Sequence, residues 1–161
     1  MWSSQKRLVL ASASAARSNL LKAAGLMHIV SPADMDERAT ERQLQEKSAQ
    51  SVAVSLAEAK ALHVARKFPD EIVIGADQTL ECAGRLFHKP ANLADARCQL
   101  LELAGKTHKL HSAFAVIRDG CIVEYSEIST AHLKVRSFSA AFLDEYLSVA
   151  DRSVLQSVGC Y

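Results

Sequence analysis

Short apolar runs alternate with longer amphipathic segments along the first half of the chain. Apolar side chains in the longer segments recur at the helical period, and Gly25 stands where a helix commonly ends. The pattern predicts a strand over 7–11, a helix over 15–24, a strand over 26–30, a loop over 31–40 and a long helix over about 41–67, interrupted near Ser48.

The second half adds a buried strand and a long hairpin. Apolar residues without interruption predict a strand over 71–76 that ends at Asp77. Further predicted elements are a helix over 92–104 with Asn92 as its cap, strands over 108–118 and 121–135 joined by a tight turn at Asp119-Gly120, and a helix over 139–149 with Ser139 as its cap. Strands interleaved with helices predict an α/β fold in which helices flank a mixed β-sheet.

Length and charge restrict the kinds of protein that this chain can be. Its 161 residues suit one substantial core, which predicts a single domain. The formal charge of +1 provides no basic excess for binding a nucleic-acid polymer or an anionic membrane. No apolar stretch approaches the roughly 18 residues of a membrane-spanning helix. We expect a water-soluble protein without a membrane or polymer partner, and a homodimer stays open.

The four cysteines show no metal-binding or redox spacing. Cys82, Cys98, Cys121 and Cys160 lack a C-x-x-C pattern and have apolar neighbours. This favours buried, reduced thiols, which are typical of a cytoplasmic protein.

Familiar phosphate-binding and hydrolytic motifs are missing from the sequence. No two glycines lie closer than Gly75 and Gly84, which excludes the Rossmann and P-loop glycine patterns. No H-E-x-x-H or G-x-S-x-G motif occurs, so a zinc protease or an α/β-hydrolase is unsupported. A phosphate site in this chain would have to be formed by residues other than a glycine-rich loop.

Ser12, Ser14 and Arg17 stand where the first strand turns into a helix. Free N–H groups of a first helical turn attract anions, and a guanidinium can bind phosphate with two parallel hydrogen bonds. The segment therefore predicts a phosphate site, although Ser14 could simply cap the helix and Arg17 could be solvated.

Asp77 follows the buried strand directly. The carboxyl end of a strand is where open α/β sheets bind ligands, and a buried carboxylate needs a cation beside it. The competing interpretation is an ordinary turn residue at a strand end.

Two lysines and an acidic pair complete the candidates. Lys60 lies in a helical stretch of small residues, and Pro90 holds Lys89 in extended geometry, although either lysine could be an exposed surface residue. Asp36-Glu37 could contribute oxygen ligands to Mg²⁺ or be solvated.

Taken together and in order, these motifs resemble the Maf family of nucleoside triphosphate pyrophosphatases. Its S-x-S-P-R-R motif is similar to residues 12–17, its D-E pair to Asp36-Glu37, its A-x-x-K-A segment to residues 57–61, its I-G-A-D strand end to residues 74–77, its K-P loop to Lys89-Pro90, and its D-A-x-x-x-L-x-x-L-x-G-x-x-H segment to residues 95–108. The resemblance spans nearly the whole chain. The family pattern continues past Tyr161, which predicts that the chain is truncated at its C-terminus.

The resemblance implies a Maf/ITPase-like fold and hydrolysis of a nucleoside triphosphate to the monophosphate and pyrophosphate. It implies that Ser12, Ser14, Arg17, Lys60 and Lys89 hold the triphosphate, that Glu37 and Asp77 bind Mg²⁺ or Mn²⁺, and that Asp77 is the general base. The alternative is a regulator linked to cell division that binds a nucleotide without cutting it.

Two positions bear on the choice of substrate. Ala16 replaces one arginine of the family motif, and Gln78 follows Asp77, a combination that resembles the 7-methyl-GTP branch. That branch carries a bulky aromatic where this chain has Ala16. An amide at Gln78 could recognise a base or ribose edge, or it could close a turn. The resemblance therefore favours 7-methyl-GTP over pyrimidine triphosphates.

Overall fold

A computed structural model describes residues 6–45, 48–120, 122–150 and 152–161. Within these ranges the chain forms six strands, five α-helices and one 3₁₀ turn. They are β1 (Leu8–Leu10), α1 (Ala15–Ala23), β2 (His28–Val30), α2 (Glu37–Gln43), α3 (Ala49–Ala65), β3 (Ile72–Cys82), β4 (Arg85–Phe87), α4 (Leu93–Leu103), β5 (Thr107–Arg118), β6 (Ile122–Lys134), α5 (Ala140–Val149) and the 3₁₀ turn Arg152–Leu155. The predicted α/β fold with a mixed sheet and flanking helices is confirmed.

The sheet has the strand order β2-β1-β3-β5-β6, and β4 pairs with β3. β1 is parallel to both neighbours, with Leu8 opposite His28 and Ile72 and Leu10 opposite Val30 and Ile74. β3 and β4 are antiparallel. Parallel strands covered by helices explain why the apolar runs of β1 and β3 are nearly continuous.

The described residues cluster in two compact units, a division that nothing in the sequence indicates. The first unit contains the chain up to Asp77 and Ser112–Ile128, and the second contains Gln78–His111 and Ser129–Tyr161. Small residues dominate the core of the first unit, which includes Val9, Ala11, Ala53, Ala57, Ala61, Val64, Val73, Ala115 and Ile117.

β3 does not end at Asp77, where the sequence predicted a strand end, and continues to Cys82. Its last three residues pair with β4 in a hairpin whose turn contains Ala83 and Gly84, both with positive φ. Asp has low strand propensity, but the pairing of β4 and the burial of Leu80 extend the strand past Asp77. Asp77 is therefore an interior strand residue and not a turn residue.

A short helix occupies part of the predicted loop over 31–40. Asp36 caps α2, because its Oδ1 accepts a hydrogen bond from the Ala39 N–H at 2.9 Å. The predicted interruption near Ser48 is confirmed, since Ser48 caps α3 and accepts from the Ser51 N–H.

The helix caps Asn92 and Ser139 are confirmed, as is the tight turn of the long hairpin, where Asp119 and Gly120 both have positive φ. After the 3₁₀ turn, residues 156–159 form bends and a turn. No helix in the described ranges is long and apolar enough to cross a membrane.

The cysteine prediction is confirmed in part. Cys82 and Cys160 are buried thiols without a disulfide partner among the described residues, and Cys121 lies outside those residues. Cys98 is exposed, contrary to the prediction, because the buried face of α4 is formed by Ala96, Leu100 and Leu103.

Two buried histidines stand in β5, in the part that belongs to the second unit. His108 Nε2 lies 2.6 Å from the Tyr161 hydroxyl, and His111 Nδ1 lies 2.8 Å from Thr130 Oγ1. The other ring nitrogen of each has no hydrogen-bond partner in the described part of the chain. Burial lowers the pKa of both histidines, although Glu81 opposes the effect at His111.

These histidines predict a loss of stability in mild acid. A pKa that is lower in the folded chain means that the unfolded chain binds the proton more readily, so stability is complete above about pH 6.5 and falls below it. The slope has an upper limit of about 1.4 kcal/mol per pH unit for each such histidine. Urea unfolding between pH 8 and pH 5 measures it, and His111→Gln should reduce the slope. A free energy of unfolding that stays constant over this range would contradict the prediction.

Candidate active site

The turn after β1 brings two hydroxyl groups to the start of α1. Ser14 caps the helix, its Oγ accepting from the Arg17 N–H at 3.4 Å, and Ser12 Oγ accepts from the Ser14 N–H at 3.2 Å. Ser12 is buried at the point where the first parallel strand ends. The cap that was the simple interpretation of Ser14 is therefore present, and it holds Ser12 and Arg17 in place.

Arg17 points back toward the sheet and is half-buried. Its Nη1 donates to Ser12 Oγ at 3.0 Å and to the Ala76 carbonyl oxygen at 2.8 Å. The interpretation of Arg17 as a freely solvated side chain is therefore wrong. Burial lowers the pKa of Arg17, and the charges of Asp77 and Glu37 act against this effect, so the guanidinium stays protonated at neutral pH.

The ammonium group of Lys60 forms ion pairs with two carboxylates. Its Nζ lies 2.5 Å from Asp77 Oδ1 and 2.8 Å from Glu37 Oε1. Lys60 and Asp77 are each 8% exposed, whereas the side chain of Glu37 is half exposed. The alternative of a lysine reaching out to solvent from α3 is wrong, because both of these anions hold its ammonium inside the unit.

A glycine makes this meeting of α3 and β3 possible. A Cβ built on Gly75 would lie 2.1 Å from the Ala57 carbonyl oxygen and 2.6 Å from the Ala61 nitrogen. Only a residue without a side chain allows the helix backbone to approach the strand so closely. Lys60 precedes Ala61 and Asp77 lies two residues after Gly75, so the close contact sets their separation.

Opposing electrostatic effects act on Asp77. Burial raises the pKa of its carboxyl group, and the charges of Lys60 and Arg17 lower it in return. A carboxylate with a raised pKa accepts a proton more readily than an exposed one, which suits a general base. Such shifts are also found in structural ion pairs, so the geometry has to support the role.

The first unit thus gathers five of the predicted site residues around Asp77. Ser12, Arg17, Glu37 and Lys60 lie there, with Ser14 at the adjacent helix cap. Glu37 reaches Lys60 as the first residue of α2, whereas its neighbour Asp36 is used as the cap of that helix.

Gln78 and Lys89 belong to the second unit, and their roles stay predictions. Both side chains are exposed. The loop before Pro90 is attached to α4, because Gln99 Nε2 donates to the His88 carbonyl oxygen at 2.9 Å.

The structural importance of Gly75 was not predicted from the sequence, where this residue entered only the spacing of glycines and the I-G-A-D strand end. A glycine inside an apolar strand, opposite a helix rich in alanine, is a signal of close backbone approach that could have identified it.

Comparison with known proteins relates the sequence of this chain to a family. The sequence profile of the family described as Maf-like protein matches residues 7–161. A 7-methyl-GTP pyrophosphatase of Brucella abortus is 45% identical over 157 residues, which are 96% of this chain and 78% of the relative. A nucleoside triphosphate pyrophosphatase of Nitrobacter winogradskyi is 44% identical over 161 residues, which are 100% of this chain and 79% of the relative.

A third relative has the same name as the Brucella protein. A 7-methyl-GTP pyrophosphatase of Bartonella henselae is 41% identical over 154 residues, which are 96% of this chain and 77% of the relative. The profile covers nearly all of the chain, and the relatives exceed 40% identity over most of their own length. This chain therefore belongs to the Maf family.

Proposed function

We propose that the protein hydrolyses nucleoside triphosphates between the α and β phosphates and releases a monophosphate and pyrophosphate. The names of the Brucella and Nitrobacter relatives support this reaction. The single observation that carries the proposal is the convergence of Arg17, Lys60, Glu37 and Asp77 in one part of the first unit.

The two cations would bind the phosphates. Among the described residues, Nε and Nη2 of Arg17 have no hydrogen-bond partner, whereas Nη1 is occupied by Ser12 and Ala76. An arginine fixed in this way can donate two hydrogen bonds to phosphate without losing its own support. Lys60 would add a second positive charge, which stabilises the charge that develops on the leaving pyrophosphate.

Asp77 would act on the attacking water. Its carboxylate takes a proton as the water oxygen bonds to phosphorus, and the bond between phosphorus and the bridging oxygen breaks. Burial excludes competing solvent from the carboxylate and raises its pKa, so both features favour proton transfer.

The carboxylates of Glu37 and Asp77 fit a divalent cation. Both have an oxygen within hydrogen-bonding distance of one ammonium group, so the two oxygens converge on a single cationic centre. Mg²⁺ is usually held by one or two carboxylates, and substrate phosphates and waters complete its ligands. Mg²⁺ or Mn²⁺ would neutralise phosphate charge there, with Glu37 and Asp77 as its protein ligands.

Release of pyrophosphate over a panel of triphosphates with Mg²⁺ tests the proposal. The competing function is a regulator linked to cell division that binds the triphosphate at the same residues and never cuts it. Binding without release of pyrophosphate for every triphosphate would favour the regulator.

Arg17→Ala should weaken substrate binding and turnover together, because a phosphate clamp acts in the ground state and in the transition state. We expect kcat/KM to fall about tenfold to a hundredfold, the range for a charged hydrogen bond. Arg66→Ala, at the exposed end of α3, is the matched control and should leave the kinetics unchanged. Parental kinetics in Arg17→Ala would remove this residue from the site.

The substrate proposed here is 7-methyl-GTP, and the names of the Brucella and Bartonella relatives support it. Gln78 follows the catalytic carboxylate directly and would recognise the nucleotide through its amide. We expect kcat/KM for 7-methyl-GTP to exceed that for UTP and dTTP, and Gln78→Thr to shift the ratio toward the pyrimidines. A competition assay measures both, and a higher kcat/KM for UTP or dTTP in the parental chain would contradict the choice.

We place the protein in the cytoplasm, the compartment that a reduced set of thiols favours. Cys82, Cys98 and Cys160 are free thiols in the described structure. A fusion to a fluorescent protein, followed by cell fractionation, tests this location.

A further inference from the structure

The ammonium group of Lys60 lies where a divalent cation bound to Glu37 and Asp77 would have to lie. Its ammonium lies 2.5 Å from Asp77 Oδ1 and 2.8 Å from Glu37 Oε1, so it occupies the centre on which both ligands converge. An ammonium and a divalent cation cannot share that centre, because their charges repel at such short distances. In the resting chain, Lys60 therefore balances one of the two negative charges of this carboxylate pair.

Arg17 strengthens this charge balance. Its charge interacts with Asp77 and with Glu37, so two cationic and two anionic side chains oppose each other at the site. A divalent cation that enters alone would leave a positive excess in a largely buried place, which costs free energy. A triphosphate changes the balance, since its oxygens offer the ammonium an alternative partner.

We propose that Lys60 is the resting counter-ion of Glu37 and Asp77 and leaves them when a divalent cation binds. This inference rests on the proposed function, because it takes Glu37 and Asp77 as the metal ligands. The flexible stem of a lysine permits the movement: the α3 backbone stays against Gly75 while the ammonium changes partner. Lys60 therefore couples the binding of a divalent cation to the binding of phosphate, and a divalent cation without the triphosphate binds weakly.

The first test measures Mn²⁺ binding to the chain without nucleotide, by isothermal titration calorimetry. Lys60→Met removes the competing charge and keeps an unbranched side chain that is only one atom shorter, so the Kd for Mn²⁺ should fall at least about tenfold relative to the parental chain. Lys22→Met makes the same charge change on the exposed surface of α1 and should leave the Kd unchanged. Equal or weaker Mn²⁺ binding by Lys60→Met would overturn the inference.

The second test uses the parental chain and therefore holds even if Lys60→Met does not fold. Trace acetylation with acetic anhydride, followed by mass spectrometry, reports how available each lysine is. Lys60 should react slowly without metal and at least about threefold faster at saturating Mg²⁺, as its ammonium leaves two attractive charges. Lys22 is the internal control. Equal reactivity of Lys60 with and without Mg²⁺ would overturn the inference.

Neither test measures turnover. Lack of pyrophosphate release would therefore contradict the proposed function and would leave the Lys60 inference to the two tests above. A negative result in the Mn²⁺ titration and in the acetylation experiment would overturn the Lys60 inference and leave the proposed hydrolysis intact.

Discussion

Asp77→Asn should lower kcat at least about a hundredfold, the usual scale for the loss of a general base. The amide keeps the shape of the side chain but removes its basicity and its negative charge. Triphosphate binding should stay within about a factor of ten, because the variant keeps Arg17 and Lys60, the two cations proposed to bind the phosphates. Steady-state kinetics and binding to a non-hydrolysable analogue separate the two effects.

Asp70→Asn is the matched control for this change. Asp70 is exposed in the turn after α3 and contributes no group to the site, so the variant should turn over at the parental rate. Near-parental turnover of Asp77→Asn would show that the buried carboxylate is structural and that another group accepts the proton.

Gly75→Ala should damage the fold and the site together. The added Cβ would lie 2.1 Å from the Ala57 carbonyl oxygen, so the backbone of α3 or β3 has to shift. Overpacking of a core usually costs 1–3 kcal/mol, and a clash with backbone puts this variant at about 3 kcal/mol or more. The shift moves Lys60 relative to Asp77, and a displacement of about 1 Å at a catalytic group can lower turnover about a hundredfold.

Gly25→Ala is the matched control for Gly75→Ala. Gly25 has φ of +74° and no atom within 4 Å of the added Cβ, so its cost is backbone strain alone, about 1 kcal/mol. Urea unfolding gives the two free energies. A smaller loss for Gly75→Ala than for Gly25→Ala would contradict the close approach of α3 to β3.

Residues close together in the sequence were sufficient to predict several helix caps and one turn. Asn92 and Ser139 cap helices as predicted, and Ser14 caps α1 as its alternative interpretation stated, because a hydroxyl or amide next to an apolar periodic segment acts on its own backbone neighbours. The Asp119-Gly120 turn depends equally on local geometry. Residues close in sequence determine such features.

Features that depend on distant partners were not predictable. The extension of β3 past Asp77 requires the pairing of β4, and the burial of Lys60 requires Gly75 opposite α3. A lysine on a helix is compatible with solvent or with a buried ion pair, and only the position of its carboxylate partners decides between them. The candidate residues could be identified from the sequence, but their mutual distances could not.

The most direct test of the account is ³¹P NMR of the reaction of the protein with 7-methyl-GTP and Mg²⁺. Cleavage between the α and β phosphates predicts equal amounts of pyrophosphate and 7-methyl-GMP from the first time point, with no inorganic phosphate. The appearance of inorganic phosphate and a diphosphate, or an unchanged triphosphate that the protein nevertheless binds, would contradict it.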